Sequence, residues 1–269
     1  MMKQYILIIL IVLILPLNAS VCRTSTGSFI TFEAMLELLA DYDVIVIGEK
    51  HDNDFHHAVE LKIFSGLNER GSFALGLEMF ERDVQPFINA YLIGEITEGE
   101  MLEQSRPWNN YSEDYAPLVK YAAANGLNVI AGNIPRYIAS AAARSGTLPD
   151  TADSSLFDIP QTYSDDYKKR FMETMESIKN NKTAMSGMMD NENLFRAQLL
   201  KDATMAHSII SFADSSGSIV FITGRFHCEY NDGIMTQLNY ADSLLKTAVI
   251  IIEDTLSDLS LGDFIILRE

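Results

Sequence analysis

The sequence predicts an α/β fold: a mostly parallel β-sheet flanked by helices, with a smaller inserted helical subdomain. Three observations predict it. Short β-branched runs at residues 44–47, 73–77, 128–131, 219–223, 248–252 and 264–267 alternate with longer stretches of helical periodicity, as strand–helix–strand crossovers require. The runs Val44-Ile45-Val46-Ile47 and Val249-Ile250-Ile251-Ile252 are apolar without alternation, which marks strands buried on both faces. Start and stop residues flank the helical stretches between them.

At the N-terminus, Lys3 precedes an apolar run over residues 5–15, followed by Pro16, Asn18, Ala19 and Ser20. This pattern predicts a secretory signal over residues 1–22, too short for the roughly twenty residues of a membrane span. Residues 23–269 then form a single domain. Cys22, after Ala19-Ser20-Val21, resembles the lipidated cysteine of a bacterial lipobox, although Val21 stands where Gly, Ala or Ser is usual; ordinary cleavage is the alternative. The protein is therefore expected to be exported, as an outer-membrane lipoprotein attached through Cys22 or as a periplasmic protein. Cys228 is the one other cysteine, so an exported chain without a usable pair relies on its core. The roughly 245 remaining residues suffice for that.

Further along, Thr31 caps a helix running to about residue 41, and residues 55–70 supply the first crossover helix. Ser112 opens another toward Asn125, with Gly126 as its stop, and residues 193–212 read as a long amphipathic helix. Two stretches, near 84–111 and 145–191, exceed ordinary loops and carry helical periodicity, so they are assigned to helical inserts. With 37 acidic against 20 basic side chains and a formal charge of −17, the chain is not expected to bind nucleic acid.

The residues that end the buried runs are Glu49 and His51, Glu78, Asn133, Arg225 and His227, and Glu253. A parallel sheet gathers such residues at one edge, where open α/β sheets build their sites. A carboxylate such as Glu78 can instead cap the next helix, and His51 or His227 alone can be a satisfied structural residue. The repeated spacing Gly48-x-x-His51 and Gly224-x-x-His227 argues against coincidence. Such a set can ligate a divalent metal or work without one, a histidine acting as general base. His56 and His57 lie five and six residues past His51, which does not match a His-x-x-x-His helical zinc motif.

Gly48-Glu49-Lys50-His51 with His56-His57, Glu78-Met79-Phe80, Trp108, Gly132-Asn133-Ile134-Pro135-Arg136, Ala197-Gln198 with Asp202 and Met205-Ala206, and Gly224-x-x-His227 with Gly233-Ile234 follow in order from about residue 40 to about 240. This ordered set resembles the ChaN-type haem-binding uptake lipoproteins. The resemblance implies a parallel α/β domain with a smaller helical part, haem held through tyrosine on the iron, and a homodimer enclosing two stacked haems. The wider superfamily is similar to erythromycin esterases and Tiki-type metalloproteases, whose catalytic Glu and His lie in comparable motifs. Asp54 stands where proline is common, and Arg225-Phe226 replaces smaller residues before His227.

Among eleven tyrosines, context selects Tyr167 as the iron ligand, then Tyr163, with Tyr137 as the choice outside the second insert. Tyrosinate is an established ferric haem ligand. Lys168, Lys169 and Arg170 form the densest basic run of the chain and can meet haem propionates. Met172, Met175, Met185, Met188 and Met189 supply soft apolar surface for a porphyrin. The bland alternatives are a methionine-rich core and a solvated basic helix face.

The sequence thus reads as a haem-binding protein of the bacterial cell envelope acting in haem or iron capture or storage. The alternative is an esterase-like or metallopeptidase-like hydrolase using Glu49, His51, Glu78 and His227. These four are expected to converge and to satisfy one another, with no tightly bound free divalent metal.

Overall fold

A computed structural model describes residues 19–148, 162–181 and 190–269. Residues 1–18 of the expected signal lie outside the described residues, as do Met185, Met188 and Met189.

The strands are β1 (Ala19–Arg23), β2 (Ser28–Ile30), β3 (Val44–Glu49), β4 (Phe73–Glu81), β5 (Val129–Asn133), β6 (Ser218–Gly224), β7 (Thr247–Glu253) and β8 (Phe264–Arg268). They form one sheet in the order β2-β1-β8-β7-β3-β6-β4-β5. From β8 to β5 every neighbouring pair is parallel, while β1 runs antiparallel to β8 and to β2. All six expected strands are present. The β1–β2 hairpin was not expected: residues 19–22, assigned above to the signal, pair with β8 and bury Val21 and Cys22 completely.

Helices α1 (Phe32–Leu39), α2 (Asp54–Asn68), α3 (Gln85–Leu92), α4 (Glu98–Ser105), α5 (Ala116–Ala124), α6 (Arg136–Ser145), α7 (Asp165–Asn181), α8 (Asn191–Ser216) and α9 (Ile234–Ala241) cover the sheet. Thr31 caps α1 by accepting from the Ala34 amide at 3.1 Å, and Asn53 caps α2 through the Phe55 amide. Strand alternation divides the core. Ile45, Ile47, Leu75, Leu77, Val220 and Ile222 face Met35 and Leu36 of α1, Val59 and Ile63 of α2 and Leu118 of α5. Val44, Val46, Phe221, Val249 and Ile251 face Met205 and Ile209 of α8 and Ile234 of α9. Each such aliphatic side chain stabilises the fold by about 1.5–3 kcal/mol through burial.

The two inserts extend these helical layers rather than forming one shared body. The first supplies α3 and α4, with Ile88 and Met101 in the α1–α2–α5 core. The second supplies α7, where Phe171 packs on Phe195 of α8. At the open edge of the sheet, the Gln85 side chain substitutes for a neighbouring strand: its amide donates to the Val129 carbonyl at 2.8 Å and accepts from the Ala131 amide at 2.7 Å.

Candidate functional site

After β3 the chain passes over β6 to β4, and after β6 it passes to β7 on the other side of β3. The crevice of the sheet therefore opens between the ends of β3 and β6, where Glu49 registers with Gly224. The β4–β6 ladder ends at Leu77 and Ile222. One residue on, the Glu78 carboxylate continues the connection, accepting from the Thr223 hydroxyl and the Gly224 amide, both at 2.8 Å. Glu78 is thus turned into the crevice between strands and does not cap the following helix.

The first histidine of the crevice is His51. Its Nδ1 donates to Glu49 Oε1 at 2.7 Å, and the same oxygen accepts from the Tyr115 hydroxyl at 2.6 Å. Trp108 meets the ring edge-on at 4.4 Å. Its side chain is 41% exposed, against 1% for Glu49, so its outer nitrogen faces the crevice. Gly224 permits this approach: a Cβ there would lie 2.8 Å from His51 Nε2. Burial disfavours the charged ring, but the Glu49 hydrogen bond and the Glu78 carboxylate outweigh it and raise the His51 pKa. Burial likewise opposes ionisation of Glu49, yet its hydrogen bonds with His51 and Tyr115 hold it below the usual range.

The second histidine, His227, is buried between two carboxylates. Nδ1 meets Asp202 of α8 at 2.5 Å and Nε2 meets Glu78 at 3.3 Å. Burial pulls its pKa down, but the two negative neighbours overcome that and lift it to about 9. The same pairing holds Glu78 well below its ordinary value despite burial. Near neutral pH the crevice therefore holds an imidazolium at His227 and a carboxylate at Glu78.

Behind His51 lies a second, buried group. His56 Nδ1 accepts from the Lys50 amide at 3.1 Å, and burial with the nearby Lys50 charge lowers its pKa to about 4, so it fastens the loop as a neutral ring. His57 Nδ1 lies 3.2 Å from Glu49 Oε2 and 3.0 Å from Glu60 Oε2. Burial, then the Glu49 charge, push the Glu60 pKa far up. A π-helical turn, Tyr111–Tyr115, brings in Tyr115 from the far side of α2. Spacing rejected His56 and His57 as a His-x-x-x-His pair but passed over His57 and Glu60, which stand three apart on one face of α2.

The expected haem contacts are only partly gathered. Tyr167 is 0% exposed; its phenol donates to Asp202 at 2.6 Å, and Phe195 and Phe226 pack against its ring. Burial and the Asp202 charge hold the phenol protonated far above its ordinary pKa. In this arrangement the Tyr167 oxygen, expected on the iron, is turned to Asp202, so ligation through it requires that hydrogen bond to open. Tyr163 and Tyr137 are 41% and 50% exposed. The basic run also disperses: Lys168 pairs with Glu192 at 2.9 Å and Arg170 with Asp232 at 2.7 Å, while Lys169 is exposed.

Over the strand ends lies a cleft of about 340 Å³, floored by Glu49, His51 and His227 and walled by Phe171, Met175 and Phe226. Phe171, Met175 and Gln198 also line an adjoining groove of about 310 Å³, with Ala139, Leu194 and Lys201 on its other sides. Among the described residues no tyrosine lines either cavity, whereas Lys201 and Arg225 do. Lys201 escaped the sequence reading because it is an isolated cation within a helix. It lies one turn past Ala197-Gln198 and just before Asp202, and that spacing was the available signal. Gln198, three positions before it, reaches the Tyr167 phenol and the His227 ring, both at 3.1 Å.

A sequence model of the family described as "Haem-binding uptake, Tiki superfamily, ChaN" matches residues 35–238. Among solved structures, the chain is similar to one described as cofacial haem binding to ChaN of Campylobacter jejuni, with a TM-score of 0.76 at 20% identity over 93% of this chain and 97% of that one. The type III effector HopBA1 matches with a TM-score of 0.51 at 12% identity, over 87% of this chain and 91% of that one. The effector domain RRSP of a Vibrio vulnificus MARTX toxin matches with a TM-score of 0.50 at 17% identity, over 89% of this chain and 40% of that one. At these identities the likenesses establish the fold alone. No curated protein matches the sequence.

Proposed function

Because the chain belongs to the ChaN family of haem-binding uptake proteins in the Tiki superfamily, we propose that it binds haem at the strand-end cleft, in haem or iron capture or storage at the bacterial cell envelope. The observation that carries this reading is the composition of the joined cavities. Phe171, Met175, Leu194 and Phe226 offer an apolar surface, and Lys201 offers positive charge, beside an Arg225 that is itself paired with Glu229 and Glu253. An amphiphilic anion needs both, the apolar wall for its ring and the cations for its carboxylates.

Bound haem would supply a ferric iron able to take an oxygen donor from the protein. Of the nominated tyrosines, Tyr137 and Tyr163 are exposed and we take the donor from these two. The loaded protein is proposed to pair as a homodimer. An acyl chain on Cys22 needs that sulfur at the surface, so lipidation goes with withdrawal of β1 from β8; a soluble periplasmic form keeps the thiol in the core.

Ferric haem titration tests the reading. Saturable binding with a high-spin, tyrosinate-type spectrum, perturbed by Tyr137→Phe or Tyr163→Phe, is the expected result. Absence of saturable binding at micromolar haem discards it. Light scattering with and without haem tests the dimer.

A second reading, hydrolysis, is favoured by one specific observation: Glu49, His51 and His227 line the cleft with Glu78 against His227, and each histidine is backed by its own carboxylate. With Nδ1 held by Glu49, His51 can take a proton from water at Nε2, and the His227 imidazolium can stabilise developing negative charge. Ester or peptide hydrolysis lost in both His51→Ala and His227→Ala supports this reading.

A further inference from the structure

We infer that Glu49, His57 and Glu60 form a buried site for one divalent transition cation, on the far side of Glu49 from the cleft. The inference is independent of haem binding and departs from the expectation that the chain holds no free metal. That expectation was argued from the four strand-end residues, of which Glu49 is one.

The argument begins with the tautomer of His57. Its Nε2 faces two acceptors, the His51 carbonyl at 3.2 Å and Asp114 Oδ2 at 3.5 Å. A carbonyl oxygen cannot donate, so Nε2 carries a hydrogen and Nδ1 is the ring nitrogen turned inward. There it meets carboxylate oxygens of Glu49 and Glu60 at 3.2 and 3.0 Å. Two carboxyl groups packed against one ring nitrogen call for positive charge among them, which a divalent cation supplies.

All three residues are buried, and one ligand atom from each lies within 4.8 Å of the others. Glu49 Oε2 and Glu60 Oε1 accept no hydrogen bond from the described residues, which is costly for carboxylate oxygens without a cation. Donors around a tetrahedral ion with bonds of about 2.0–2.2 Å stand roughly 3.3–3.6 Å apart, so the two contacts of Nδ1, at 3.2 and 3.0 Å, open by a few tenths of an ångström to admit it.

The surroundings match as well. A ligating histidine donates its other ring nitrogen to a carbonyl or carboxylate, and a ligating carboxylate is itself held by hydrogen bonds. His57 meets the first condition through His51 and Asp114, and Glu49 meets the second through Tyr115 and His51. Access exists too: a separate cavity of about 350 Å³ reaches His57 between Asp54, Glu113 and Asp114, an acidic mouth for a cation. One imidazole and two carboxylates favour zinc or manganese over a thiolate-seeking ion.

The purified chain, stripped with chelator, is titrated with Zn²⁺ and separately with Mn²⁺ by calorimetry. One ion per chain and a rising Tm are expected. Glu60→Gln and His57→Gln should each weaken binding more than about hundredfold, and Tyr115→Phe and His51→Ala, which each remove one hydrogen bond to Glu49, by about ten- to hundredfold. Zinc-edge absorption, which needs no variant, should report a single imidazole among oxygen donors. No saturable binding, binding unchanged in a folded Glu60→Gln, or a shell with two imidazoles each overturns the inference. The last result puts the ion on His51 and His227 in the cleft.

Discussion

The Tyr167 phenol donates a 2.6 Å hydrogen bond to Asp202, whose other oxygen accepts from His227. The tyrosine is therefore the outermost member of a chain that holds the His227 ring against Glu78. Tyr167→Phe should leave the haem spectrum unchanged and lower stability by about 1–3 kcal/mol, the cost of depriving a buried carboxylate of a donor. Urea midpoints and haem absorption on the same variant check both halves. A changed iron spectrum with unchanged stability would return Tyr167 to the iron.

The charge on His227 predicts a pH dependence. Its pKa is about 9 in the folded chain, against about 6.5 for an unperturbed histidine. The folded state thus retains a proton that the unfolded state gives up. The resulting stabilisation is fully present below about pH 6.5, declines as pH rises, and is lost above about pH 9. Unfolding in urea at pH 6, 7.5 and 9 should show that fall, and His227→Gln should flatten it.

Gly224→Ala places a methyl group 2.8 Å from His51 Nε2. The ring must yield, loosening its bond to Glu49, at a cost of about 1–3 kcal/mol for the overpacking. The His51 imidazole resonances should shift while the fold persists. Unshifted resonances mean that the ring has room the geometry does not indicate.

Gln85→Ala removes two hydrogen bonds to the backbone of β5. A loss of about 1–3 kcal/mol is expected, as a lower urea midpoint with an unchanged m-value. The freed edge should also raise the tendency to self-associate, measurable by light scattering.

Both cysteines are buried, so a thiol reagent should react with neither in the native chain and with both after denaturation. Labelling with a palmitate analogue separates the exported forms. Label on the wild type but not on Cys22→Ser means that β1 has left the sheet in that form.

The strands were legible because a buried parallel strand has no polar alternation to confuse it, and residues 44–47 and 249–252 announce themselves. The β1–β2 hairpin was not, since Ala19, Ser20 and Val21 also suit the end of a signal. The convergence of Glu49, His51, Glu78 and His227 followed from strand polarity alone. The burial of Tyr167 against Asp202 was not legible, for a geometric reason. Residues 168–170 are neighbours in sequence but point around α7 in different directions, so linear charge density said nothing about which face the tyrosine takes. The His57–Glu60 pair was readable from helical spacing but carried no meaning until Glu49 was brought to it from β3.

The wall of the cleft is fastened at its base. Gln237 of α9 bonds both backbone groups of Thr162, while Asp232 holds Ser164 and Arg170. Phe171, one residue beyond Arg170, therefore belongs to a surface already assembled before any ligand arrives. A ligand meeting an ordered wall does not bear the entropic cost of arranging it, and its capture rate is set by encounter and orientation rather than by a preceding rearrangement. For a carrier, affinity would then be tuned through the lifetime of the loaded state. Release would await loosening of those side-chain tethers.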